Sequence, residues 1–233
     1  PGSLDEAAKA LAAAQDGTLV AGGMTLLPTM KQRLAQPSDL IDLNAIDSLA
    51  SITKDGDSIV IGAMTRHASV ARSALVKATI PALADIADGI GDPQVRNRGT
   101  IGGSVANADP AADYPAGLVG LNATVHTNKR HIAADHFFTS LFETALDEHE
   151  IITKVSFPIP SKAAYMKFPN PASRYAIVGV FVAQGGDGVR VAVTGAAGSV
   201  FRVAAMESAL ASDFNSAAIE GITIADDDMN SDI

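Results

Sequence analysis

The chain has 233 residues, of which 47% are apolar and 18% charged, a balance that suits a packed globular protein and excludes a disordered one. Its formal charge of −9 speaks against nucleic-acid binding, which leans on basic surface to displace counterions. Cysteine is absent, which removes disulfides, thiolate zinc sites, iron–sulfur ligation and cysteine nucleophiles together, so any redox chemistry must come from a bound organic cofactor.

The opening "PGSLDEAAKAL" lacks the basic end and apolar centre of a signal peptide, and no apolar run approaches the roughly 18 residues of a membrane span; a cytoplasmic protein is expected. Ser3-Leu4-Asp5-Glu6 reads as a capping box that opens a helix with Leu4, Ala7, Ala8 and Leu11 on one stripe, ended at Gly17. A short buried strand over 18–21 follows, then Gly22-Gly23 and an amphipathic stretch over 25–34. Strands are expected over 40–43 and 58–63, the second after the turn signal Asp55-Gly56-Asp57. Residues 66–78 and 81–89 read as helices, with Pro81 suited to a first helical position. From Gly89 to Tyr114 the chain is rich in glycine, proline, asparagine and aspartate with little periodicity, which predicts a long structured loop of the kind that carries function. Strands over 123–125 and 151–157 precede a boundary at Pro158-Ile159-Pro160-Ser161. Strands near 176–183 and 189–194 and a helix over 203–210 then make a smaller α+β unit. The acidic close "ADDDMNSDI" offers nothing to complete a fold, so this unit is expected to be incomplete.

Two glycine pairs punctuate this order, in "VAGGMTLLPTM" and in "TIGGSVANADPAADYP". Consecutive backbone N–H groups in a glycine turn, or at a helix N-terminus, hold a diphosphate without side-chain bulk in the way. Gly22-Gly23 leading into Met24-Thr25 fits that description, as does Gly102-Gly103-Ser104, with Thr25 and Ser104 adding hydroxyls. Neither loop has the spacing of a Rossmann fingerprint or a P-loop. Taken singly, each is better explained as a tight strand-ending turn. Asp109 and Asp113 are candidates for an acid pair or metal ligands, although Asp109 reads more simply as a turn residue before Pro110. Arg96 and Arg98 are candidate phosphate contacts, with solvated loop arginines the plainer reading. The five histidines (67, 126, 131, 136, 149) have no metal spacing and are expected to be ordinary surface or structural residues, and Ser104 lacks a hydrolase nucleophile's context. No metal site and no catalytic acid or base is assigned.

"AGGMTLLPTMKQRLAQPSDLIDL", "IGAMTRHASV" and "GDPQVRNRGTIGGSVANADPAADYPAGLVGLNA", in this order, resemble the FAD-binding medium subunits of molybdenum hydroxylases, the carbon monoxide dehydrogenase and xanthine dehydrogenase group. The resemblance runs from the start to "MKFPNPASRYAIVGVFVA" and fades beyond it. It implies an α+β fold: a PCMH-type FAD-binding domain over 1–160, with subdomains of about 1–53 and 54–160, then a small α+β C-terminal domain over 161–233. It implies FAD as cofactor, its diphosphate against the amides of a first loop of Ala21, Gly22, Gly23, Met24 and Thr25 and a second of Thr100, Ile101, Gly102, Gly103 and Ser104. It implies that Asp113 contacts the flavin side, that Ile90 and Ile152 lie beside the isoalloxazine ring, that Lys167 is a ring-side lysine and that Tyr175 packs on the ring. Many members have asparagine at Ser104 and aspartate at Arg174. The implied partners are an iron–sulfur small subunit and a molybdenum-cofactor large subunit, as a dimer of heterotrimers, with membrane association at most peripheral and through the electron acceptor. Two other readings stay open: a stand-alone PCMH-type flavin oxidoreductase, and a scaffold subunit that has lost FAD.

Overall fold

The computed structural model describes residues 1–225 and 229–230. Helix α1 (Leu4–Ala13) starts at Ser3, whose hydroxyl accepts from Glu6 N at 3.2 Å, and buries Ala7 and Leu11. Strand β1 (Gly17–Val20), helix α2 (Leu26–Lys31) and strand β2 (Asp39–Asp42) follow. β1 and β2 are parallel, with Leu19 opposite Ile41, and parallel neighbours need a crossover; α2 and its flanking loops supply it. This unit closes its own apolar cluster of Ala7, Leu11, Ile41, Leu43, Ile46 and Leu49, joined by Met64 and Ile151.

Strands β3 (Ile52–Asp55) and β4 (Ser58–Gly62) form a hairpin, and six short helices come next: α3 (His67–Arg72), α4 (Ala74–Thr79), α5 (Pro81–Gly89), α6 (Pro93–Arg98), α7 (Ile101–Asn107) and α8 (Tyr114–Gly120). The single helix expected over 66–78 is broken at Ser73, whose extended backbone ends α3 and whose hydroxyl accepts from Val76 N at 3.3 Å to start α4. The long loop expected from Gly89 to Tyr114 is corrected more sharply, since it holds α6 and α7. Asp92 caps α6, accepting from Val95 N at 2.9 Å with Pro93 at the first position, and Thr100 caps α7, accepting from Gly103 N at 3.2 Å. Good caps and the burial of Ile101 and Val105 outweigh the poor helix propensity of a glycine pair.

Strands β5 (Thr124–Thr127) and β6 (His131–Ala133), the small hairpin β7 (Phe138–Ser140) and β8 (Glu143–Thr144), and strand β9 (Ile152–Pro158) complete this part. The five-stranded antiparallel sheet runs β3-β4-β9-β5-β6, with Val155 of central β9 between Ile61 and Val125. Strands β10 (Lys162–Pro169), β11 (Ala176–Gly185), β12 (Gly188–Thr194) and β13 (Phe201–Arg202) make a second antiparallel sheet in that order. One face carries Phe181, Ala183 and Ala192 into the main apolar cluster. The other, with Val191 and Val193, is covered by Val203 and by Leu210 of helix α9 (Ala204–Ser212). β10 was not expected from the sequence. Of the acidic close, residues 226–228 and 231–233 lie outside the described residues.

Candidate functional site

The first glycine loop leaves β1 after Val20 and enters α2, where Leu27 N donates to Gly23 O at 3.1 Å. Gly23 sits at φ +72°, a region closed to most side chains. Gly22 lies against the carbonyl of Arg98 and Cα of Gly99 with no room for a β-carbon, so this loop is laid directly on the backbone between α6 and α7. Asn44 Nδ2 takes the carbonyl of Ala21 at 2.9 Å and is itself held by Asp42 Oδ1 at 2.6 Å. The backbone and side-chain N–H groups of Asn44 hold the Asp42 carboxyl below its usual range. None of the backbone N–H groups from Ala21 to Leu26 donates to any acceptor among the described residues. A run of unpaired amides around a positive-φ glycine is an anion-binding concavity.

The second loop is built differently. Ile101 N donates to Thr65 O at 3.0 Å, Gly102 N to Ala63 O at 2.8 Å, Gly103 N to Thr100 Oγ1 at 3.2 Å and Ser104 N to Thr100 O at 3.0 Å. Its amides are therefore paired within the chain, and what it offers the cleft is clearance. A β-carbon on Gly103 would meet Thr100 Oγ1 at 3.0 Å and the Ala21 Cβ at 3.6 Å, so the bare face of one loop meets the other. Between them lies a cleft of about 580 Å³, in the range of small-molecule sites.

Ala21, Gly22, Gly23, Met24, Thr25, Thr100, Gly103, Ser104, Ile90, Asp113 and Tyr175 line that cleft. Ile101, Gly102, Ile152 and Lys167 do not. Ile101 and Ile152 are buried in the main apolar cluster, and Gly102 is pressed against Ala63 with no room for a β-carbon. Lys167 stands behind the wall: its Nζ donates to Asp113 Oδ2 at 3.0 Å, Gly89 O at 2.8 Å and Arg174 O at 3.0 Å. Asp113 is only 5% exposed and also accepts from the Tyr165 hydroxyl at 2.5 Å. Burial pushes its carboxyl upward against the pull of Tyr165 and Lys167, with a net rise. Tyr175 is 43% exposed and rides on a tight turn over 170–175, where Asn170 Oδ1 accepts from Ala172 N and Ser173 N and Arg174 takes φ +64°.

Asp109 makes the expected turn, accepting from Ala111 N at 2.9 Å, and lines the cleft as well. Arg96 is not solvated: its Nη1 donates to Ile90 O at 3.1 Å and Gly91 O at 3.0 Å. Arg98 is exposed. His67 lines the cleft, buried, with Nδ1 unpartnered, and burial followed by the nearby Arg96 lowers it to about 4. Neither His67 nor Asn44 carried a sequence signal, because each takes its role from residues distant in the chain. Among the described residues no group of three or more histidines, aspartates and glutamates is placed to hold a metal, and no helix is long and apolar enough to cross a membrane. The donor set suits a phosphorylated ligand: unpaired amides on one side, a bare glycine face opposite, and aromatic and carboxylate groups along the same wall. These features fit FAD.

Residues 1–160 match the protein family described as the FAD binding domain in molybdopterin dehydrogenase. The chain is 37% identical over 220 residues to the nicotine 6-hydroxylase medium subunit of Paenarthrobacter nicotinovorans, across 90% of this chain and 78% of that protein. It is 38% identical over 199 residues to the carbon monoxide dehydrogenase medium chain of Hydrogenophaga pseudoflava, across 80% and 69%. Among solved structures it superposes on a chain of the carbon monoxide dehydrogenase of that organism which lacks the Mo-pyranopterin moiety, with a TM-score of 0.88 and 38% identity, over 94% of this chain and 81% of that one. With a chain of quinoline 2-oxidoreductase from Pseudomonas putida 86 the TM-score is 0.82 at 28% identity, over 95% and 84%. The α+β architecture, the family match and these identities agree, and the chain belongs to the FAD-binding medium subunits of molybdenum hydroxylases.

Proposed function

We propose that the cleft between the two glycine loops is where this chain holds FAD, and that the chain relays electrons within a molybdenum hydroxylase complex. The observation that carries the site is the run of unpaired amides from Ala21 to Leu26. They would receive the diphosphate, with the hydroxyls of Thr25 and Ser104 beside them, while Gly103 keeps the opposite wall clear. Ile90, Asp113 and Tyr175 would wall the ring, and Lys167 would act on it from behind Asp113. Bound FAD supplies electron transfer in one- or two-electron steps; the protein's part is to bind it, exclude water and set access to it.

The family and the composition support a direction of electron flow. With no cysteine, the chain cannot ligate iron–sulfur clusters, so the electrons would come from an iron–sulfur small subunit, fed by a molybdenum-cofactor large subunit, and would leave to an external acceptor. A dimer of such heterotrimers in the cytoplasm, and the division into a flavin-binding domain over 1–160 and a C-terminal domain over 161–233, belong to the same reading. Native purification tests it: iron and molybdenum subunits should accompany the chain. Loaded with FAD and alone, it should pass electrons from a supplied reductant to an artificial dye and fail to oxidise carbon monoxide, purines or aldehydes. Substrate turnover with no partner present would favour a stand-alone flavoenzyme instead.

A further inference from the structure

An ammonium has three N–H donors, and all three on Lys167 are in use. They join the end of α5 at Gly89 O, the buried Asp113 on the cleft wall, and Arg174 O in the turn that carries Tyr175. Arg174 adds a bond of its own, Nη1 to Gly91 O at 3.2 Å, beside the bonds of Arg96 to Ile90 O and Gly91 O. Three successive carbonyls at the C-terminal end of a helix are thus met by cations, the sign that end favours. Lys167 and Tyr165 stand two apart on β10, on the same face, so one strand fixes both oxygens of the Asp113 carboxylate.

We infer that Lys167 is a positioning residue of the cleft: it fixes the Asp113 carboxylate and ties the 170–175 turn to the end of α5, so that Asp113 and Tyr175 form one rigid wall. The inference rests on the reading of this cleft as a flavin site. Asp113 is faced by Tyr165 and Lys167 from β10 and by Tyr175 from the turn, with Tyr114 next to it on α8 and Asp109 close to Tyr175. His67, packed on Tyr114 at 5.4 Å between ring centroids, stays neutral near pH 7. Lys167 is the cation bonded to that carboxylate among the described residues. A buried carboxylate stripped of its cation is costly, and it takes up a proton at higher pH. The folded form then binds a proton that the unfolded form does not. The penalty is full above the raised folded pKa and is relieved as pH falls through it towards the ordinary value near 4.

The test compares wild type, Lys167→Met, Asp113→Asn and the double variant by thermal melting from pH 5 to pH 8. Lys167→Met should lower Tm by roughly 6–12 °C at pH 8 and by less than half of that at pH 5. In the Asp113→Asn background the same change should be smaller and flat with pH. With FAD bound, Lys167→Met should show brighter flavin fluorescence, because a phenol held on the ring quenches it, and about tenfold weaker retention. Where Lys167→Met does not fold, Arg174→Ala reads the fluorescence instead, with a smaller rise expected and no rise counting against the inference. A deficit of equal size at both pH values in both backgrounds, or unchanged flavin fluorescence in a folded variant, overturns it. A wild-type chain that takes no FAD would refute the function proposed above, and the melting series would still decide whether Lys167 fixes Asp113.

Discussion

Asn44 holds the carbonyl of Ala21 at 2.9 Å while its own amide group is held by Asp42 at 2.6 Å. One short side chain thereby sets the peptide plane at the start of the first glycine loop, whose following amides have no partner among the described residues. Asn44→Ala should cost about 1 kcal/mol of stability, the net worth of such a bond. It should weaken FAD retention by roughly tenfold, because a loosened loop must be ordered on binding. Thermal melting and a fluorescence titration check the two effects separately.

The glycines of the two loops should fail in different ways. A β-carbon on Gly22 meets the backbone of Arg98 and Gly99, neither of which is a flexible side-chain end, so Gly22→Ala should destabilise the fold by about 2–3 kcal/mol. A β-carbon on Gly103 meets Thr100 Oγ1 at 3.0 Å and otherwise faces the cleft towards Ala21. Gly103→Val should therefore stay folded, with circular dichroism unchanged, and lose FAD. Retention of flavin at wild-type affinity would make this loop a turn and nothing more.

Local signals carried most of the long elements. α5 was legible from Pro81 at its first position and glycine at its end, and the turn into β4 from Asp55-Gly56-Asp57, while β3 carried no strand signal. α6 and α7 were hidden because glycine and proline dominate their composition, although Asp92-Pro93 and Thr100 are cap signals that would have marked both starts. β10 was hidden because its inward residues Tyr165 and Lys167 are polar-tipped and meet a partner, Asp113, that lies far back in the chain. The same reason separates the site residues that sequence exposes from those it does not. Glycine pairs declare a loop by themselves, whereas Asn44, His67 and the ties of Lys167 exist only after the chain has folded.

His67 gives the cleft a pH dependence. Burial and Arg96 lower it from 6.5 to about 4, so the unfolded chain takes up a proton first as pH falls. Its contribution, of order 3 kcal/mol, is fully present above pH 6.5 and is lost as pH falls through about 4. His67→Phe keeps a ring beside Tyr114 and removes the titration. Denaturant melts at pH 7 and pH 4 should show a smaller difference in the variant by about that amount.

Tyr175 separates access from retention. It lines the cleft half exposed, on a turn fixed by Asn170. Tyr175→Ala should change the rate of dye or oxygen reduction several-fold more than it changes FAD affinity, since a ring wall opens while the diphosphate grip stays. Parallel dye assays and titrations would show it.

Bound flavin in this cleft is read most directly from the protein's colour. Purified from its native host, the chain should be yellow and should release FAD, and not FMN, on denaturation, because both loops converge where a diphosphate would lie. Gly103→Val prepared alongside should be colourless and folded. A wild-type protein that is colourless and remains so after incubation with excess FAD would contradict the account.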